Sequence, residues 1–134
     1  MSGIRAIVQD QGGLTRNARA GDGMNMYPNV TIVTTDAADT FTVAKMATGV
    51  YVYSSLSAGR VLTTDTAANI VAAYPNLDVG DSVSVIVATV AAFALTVAAG
   101  TGVTLKGKTT IPASTTGWLI FVKTSATTCD CVVL

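Results

Sequence analysis

From residue 30 onward the chain alternates between apolar and polar positions in short bursts. "VTIVTT" (residues 30–35), "TFTVAKM" (40–46) and "GVYVYS" (49–54) are runs of β-branched and aromatic side chains separated by "DAAD" and "ATG". Such runs, broken at regular intervals by turn-forming residues, predict a meander of antiparallel strands. Successive side chains of a strand point to opposite faces, so Tyr51 and Tyr53 share one face and Val50 and Val52 the other.

One helix interrupts this pattern. In "TTDTAANIVAAYPN" the positions Ala67, Ile70, Val71 and Tyr74 fall on one helical stripe, Thr64 or Asp65 stands ready to cap the N-terminus, and Pro75 stops the helix. Strand patterns then resume in "SVSVIVATV" (82–90), "FALTVAA" (93–99), "VTL" (103–105), "TTGWLIFVKT" (115–124) and "TTCDCVVL" (127–134), with "GTG" and "KGK" as turns. In the run 115–124, Trp118, Ile120 and Val122 point one way and Leu119, Phe121 and Lys123 the other. A strand apolar on both faces lies between two layers or against another subunit. Trp118, Ile120, Phe121 and Val122 are therefore the candidates for core or oligomer interface.

The expected fold is all-β, a mainly antiparallel sandwich or barrel-like domain over residues 30–134, with one short α-helix near residues 65–74. Residues 1–29 follow another pattern. "IRAIV" (4–8) suits one short strand, and "QDQGGLTRNARAGDGMNMYPN" then offers Gly, Asn and Arg with little to bury. This reads as an extended N-terminal arm, either a free tail or a segment that orders on a neighbour. Arg5, Arg16 and Arg19 gather positive charge that suits an acidic groove.

Composition sharpens the picture. Half of the residues (50%) are hydrophobic and only 12% are charged, against roughly 25% charged in ordinary soluble domains. A lone domain of this size exposes on the order of 6,500 Å², so its surface is too thinly charged for a solitary molecule, and a homo-oligomer or permanent partner is expected. Net charge is zero, which leaves no field to hold a phosphate backbone, so nucleic acid is not an expected partner. The uncharged run 82–105 is long enough for a membrane span but alternates as strands do. No membrane partner is expected, and the start lacks a basic segment followed by an apolar run, so synthesis in a cytoplasm without a leader is expected.

The inventory of reactive groups is short. The chain has no histidine and no glutamate, and all eight acids are aspartates. That removes Ser-His-Asp and Cys-His machinery, His-based metal sites and Glu acid/base pairs, and a hydrolase would have to run on aspartate alone. Asp36 with Asp39 and Asp78 with Asp81 are spaced i, i+3 in expected loops, where turn duty explains them better than Ca²⁺. Cys129 and Cys131 fall on one strand face and are too few for a zinc site in one chain, so they are expected as reduced, buried thiols. "AAGTGVTLKGK" lacks the phosphate-loop signature and opens no helix, so it reads as a turn. No cofactor and no metal are expected.

Taken together, "VLTTDTAANIVAAYPNLDVGDSVSVIV" and "ALTVAAGTGVTLKGKTTIPASTTGWLIFVKT", a helix, a "VGDS" strand entry, a hairpin and a "TIPA.TTG.LIF" return strand, resemble the capsid decoration (cement) and head-surface proteins of tailed bacteriophages over residues 60–124. The resemblance implies a structural virion protein, not an enzyme. It would be made in the host bacterial cytoplasm, placed on the outer capsid surface and assembled as a homotrimer that bridges subunits of the major capsid protein. On that reading Leu14, Arg16, Arg19, Met24, Met26 and Tyr27 of the arm are the expected capsid contacts. The alternative is a head-fibre or receptor- or carbohydrate-binding module on the virion, with Tyr51, Tyr53 or Trp118 stacking on sugar.

Overall fold

The computed structural model describes residues 29–134. The described chain runs β1 (Asn29–Val33), β2 (Asp39–Phe41), α1 (Val43–Met46), β3 (Gly49–Tyr53), β4 (Arg60–Thr64), α2 (Ala67–Ala73), β5 (Ser82–Thr89), β6 (Leu95–Ala98), β7 (Val103–Gly107), β8 (Thr110–Ile111), β9 (Thr115–Lys123) and β10 (Cys129–Val133). These strands form a six-stranded sheet in the order β1-β3-β5-β9-β10-β7 and a four-stranded sheet in the order β2-β4-β6-β8. The mostly-β, sandwich-like class expected from the sequence is the one found.

The winding of the chain explains both sheets. From β1 to β9 each strand lies in the sheet opposite to the one before it, so β1 and β3, β3 and β5, β2 and β4, β4 and β6, and β6 and β8 are each joined through one strand of the other sheet. Parallel neighbours need a crossover of a dozen or so residues, which is ordinarily a helix. Here the crossover is the opposite sheet. Accordingly β1 pairs with β3, and β3 with β5, in parallel, as do β2 with β4 and β4 with β6. The antiparallel meander expected over residues 30–54 is thus corrected to parallel coils, because strand patterning records which residues face inward and not which strand comes alongside. Antiparallel pairing appears where β9 returns between β5 and β10, and where β8 closes on β6.

The space between the sheets is filled by one apolar cluster. The small sheet contributes Phe41, Leu62, Leu95, Val97 and Ile111, and the large sheet contributes Tyr51, Tyr53, Val85, Val87, Leu119, Phe121 and the two cysteines. Full burial of a Phe or Leu side chain contributes roughly 1.5–3 kcal/mol, which makes this layer the main source of stability.

Two local expectations change. "TFTVAKM" is not one strand: after Phe41 the Thr42 hydroxyl accepts from the Lys45 amide and caps α1, so there are two short helices and not one. A capping Thr followed by Ala, Lys and Met favours a helical turn once the β2 partner ends. In α2 the cap is Thr66, whose hydroxyl accepts from the Asn69 amide at 3.2 Å, and not Thr64 or Asp65. Those two are used otherwise. The Thr64 hydroxyl accepts from the Gly100 amide at 2.8 Å, and the Ala67 amide donates to the Thr101 carbonyl at 2.8 Å, so the 99–102 turn is stitched to the start of α2.

Candidate interaction surface

The outward face of the large sheet is the feature that the core does not explain. Strand parity turns Val30 and Ile32 of β1, Val50 and Val52 of β3, Ile86 of β5, Trp118, Ile120 and Val122 of β9, and Val132 of β10 away from the core. Register aligns them. Val30 lies opposite Val50, Val50 opposite Ile86, and Ile86 opposite Trp118, and Trp118 exchanges two backbone hydrogen bonds with Leu134. One apolar row therefore crosses four strands and reaches Leu134, just past the end of β10. Val30 is 57% exposed, Ile32 56%, Trp118 45% and Leu134 56%.

Among the outward positions of β1, β3, β5 and β9 none is charged; Ser82, Ser84, Ala88 and Thr116 fill the gaps. Charge enters only at the far edge, where Lys106 of β7 and Asp130 of β10 pair at 3.3 Å. Contiguous apolar patches of this extent on a soluble protein mark interaction sites.

The sequence-derived candidates divide by parity. Phe121 is buried, with Leu119 beside it, and belongs to the core. Trp118, Ile120 and Val122 belong to the outward face. Tyr51 and Tyr53 are buried, with Tyr51 edge-on to Phe41 at 5.3 Å between ring centroids, so neither ring is free to stack on a sugar. Leu14, Arg16, Arg19, Met24, Met26 and Tyr27 lie outside the described residues. Val30, Ile32, Val50, Ile86 and Leu134 complete the face and were not singled out from the sequence. Their alternation marked them as strand residues, but nothing local said which side of each strand would meet the second sheet.

The open side of the sandwich, between the edge strands β1 and β2, holds a cavity of about 340 Å³ lined in part by Thr31, Val33, Asp39, Lys45, Tyr51 and Tyr53. Its polar groups satisfy one another. Lys45 Nζ donates to Asp39 Oδ1 at 2.5 Å and to the Thr40 carbonyl at 2.9 Å, and the Tyr53 hydroxyl donates to Asp39 Oδ2 at 2.9 Å. Burial works against the Asp39 carboxylate, but the hydrogen bonds from Lys45 and Tyr53 outweigh it and hold the carboxyl below its ordinary range. Burial, followed by the bond to Asp39, pushes the Tyr53 hydroxyl upward, so it stays a donor.

Two further aspartates serve as struts. Asp36 bonds to Arg60 Nε at 2.9 Å and to the Ser57 hydroxyl, joining the β1–β2 loop to the start of β4. Asp81 accepts from the Asp78 amide within its turn. Among the described residues no three Asp or Cys side chains gather as a metal site would require. Cys129 and Cys131 are free thiols in the core, and burial pushes Cys131 up to about 12. Among the described residues no helix is long and apolar enough to cross a membrane.

No protein-family model matches the chain, and no curated protein and no solved structure matches it.

Proposed function

We propose that the protein is a structural virion component, a capsid decoration protein that forms a homotrimer and bridges subunits of the major capsid protein on the outside of a tailed-phage head. The observation that carries this reading is the outward face of the large sheet, apolar and uncharged over β1, β3, β5 and β9, with Trp118 near its middle. A molecule that turns so much apolar surface outward gains free energy by burying it against another protein. The resemblance of residues 60–124 to head-surface proteins names the kind of assembly. Multivalency supplies the mechanism: three modest contacts held in one rigid body act at high effective concentration, so each can be weak alone. The arm, with Leu14, Arg16, Arg19, Met24, Met26 and Tyr27, is the proposed capsid contact.

The test is cosedimentation with expanded empty heads of the protein's own phage. The protein is expected to pellet with the heads to a saturating ratio and to raise the temperature at which they rupture. A protein that stays in the supernatant at every concentration overturns the reading.

The exposed Trp118 ring favours one other reading, a glycan-binding head module, because an accessible aromatic face is a platform for a sugar ring. Binding to a glycan array that disappears in Trp118→Ala would replace the cement reading with that one.

A further inference from the structure

We infer that the outward face of the large sheet is the self-association surface of this protein, covered by other copies of the same chain, with Trp118 and Ile86 near the centre of the contact. The inference deepens the proposed trimer by assigning its interface, and it leaves the arm to the shell.

Area is the first argument. Six strands about 4.8 Å apart, five to nine residues long at about 3.3 Å each, make a face on the order of 600 Å² in projection. The rugged accessible area over such a face approaches the roughly 800 Å² that each partner contributes to a stable interface.

Charge chooses the occupant. Over β1, β3, β5 and β9 the face is neutral, and its single ion pair, Lys106 with Asp130, is already closed at the edge. A partner recognised through charge finds nothing to read there. Three identical neutral faces can meet around a three-fold axis without repulsion, each touching both neighbours. The chain's own residues 1–28 fit the face poorly. They carry Arg5, Arg16 and Arg19 against only two acids, Asp10 and Asp22, and the face offers no free carboxylate, so covering it with them would bury unpaired guanidinium groups at a high cost.

The lone tryptophan of the chain is a built-in reporter. In the full-length protein at tens of micromolar, sedimentation equilibrium is expected to give three times the 13.6 kDa chain mass. Trp118 emission is expected to be blue-shifted in the assembly and to move to the red on dilution, in step with the loss of mass. Ile86→Lys and Trp118→Lys are each expected to give a single-chain mass with an unchanged far-ultraviolet circular dichroism spectrum. Val61→Lys, on the outward side of the small sheet, is expected to keep the assembly. Should the lysine variants fail to fold, the dilution series on the native chain and the milder Ile86→Thr decide the matter.

A native protein that is a single chain at every concentration overturns the inference, and so does an assembly whose mass survives both lysine variants. A dimer dissolved by the same substitutions supports the face and overturns the trimer. An assembly lost in Trp118→Lys, from a native protein that never pellets with heads, supports the face and overturns the cement reading.

Discussion

The Asp65 carboxylate accepts the Val43 amide at 2.9 Å across a sequence separation of 22 residues, so one side chain at the entrance to α2 holds the first amide of α1. Its other oxygen accepts from the Thr66 amide at 2.7 Å and from Asn69 Nδ2 at 2.8 Å. Asp65 is nearly buried, and charge-assisted bonds of this kind are about twice as strong as neutral ones. Asp65→Asn is expected to destabilise the fold by about 1–3 kcal/mol, because the replacement amide sets donors against donors. Asp78→Asn, in an exposed turn, is expected to stay within about 0.5 kcal/mol. Urea unfolding of the two variants measures the difference.

Stability should depend on acid. At Asp65, burial raises the carboxyl and the bonds from Asn69, Val43 and Thr66 more than offset it, so the net shift is downward, as at Asp39. A carboxyl depressed in the folded state contributes stability that is fully present above its unfolded value of about 3.9 and is lost as pH falls through the folded value. The urea midpoint is therefore expected to be level from neutral pH down to about 5 and to fall below about 4. In an Asp39→Asn, Asp65→Asn double variant the native-state fall should be shallower. A native midpoint unchanged at pH 3 would remove the linkage.

Gly100 is required by close approach. A Cβ there would stand 2.5 Å from the Asp65 carbonyl oxygen and 2.6 Å from that of Thr64. Both obstacles are backbone and cannot rotate away, so Gly100→Ala must push the 99–102 turn off the start of α2. It is expected to cost about 1–3 kcal/mol, read as a lowered thermal midpoint. Gly80→Ala has open space but a positive φ, so only backbone strain of about 1 kcal/mol is expected there.

The cysteines should be silent until the fold opens. With its thiol pushed up to about 12 by burial and by its neighbour Cys129, Cys131 carries almost no thiolate at neutral or mildly alkaline pH. In the folded protein, reaction with a disulfide reagent at pH 8 is expected to be at least a hundredfold slower than in guanidinium, where both thiols should react together. Fast labelling of the folded chain would contradict their burial.

After residue 49, β3, β5, β6, β7, β9 and β10, the α2 segment and the alternation of β9 were legible as pattern, because β-branched runs and a 3.6-residue stripe leave their period in the chain, whereas the short strands β4 and β8 were missed. α1 was not. Thr42 to Met46 alternates well enough for a strand, and its Val43 amide is satisfied by a carboxylate 22 residues on, at the entrance to α2. The parallel winding was equally hidden, since the partner of β3 is chosen by two packed layers and not by any residue within "GVYVY".

From composition and order of residues alone, the chain is committed to β layers, to a chemistry without histidine or glutamate, and to more apolar side chains than charged ones can shield. Those are properties of each residue and its near neighbours, and they survive any arrangement in space. Which side of each strand faces water is not such a property. Phe121 and Trp118 are three residues apart in one strand, yet the first is core and the second lies on the open face. The small sheet covers one side of the large sheet only, and it is this one-sided packing that turns an even apolar pattern into an interior and an outward surface.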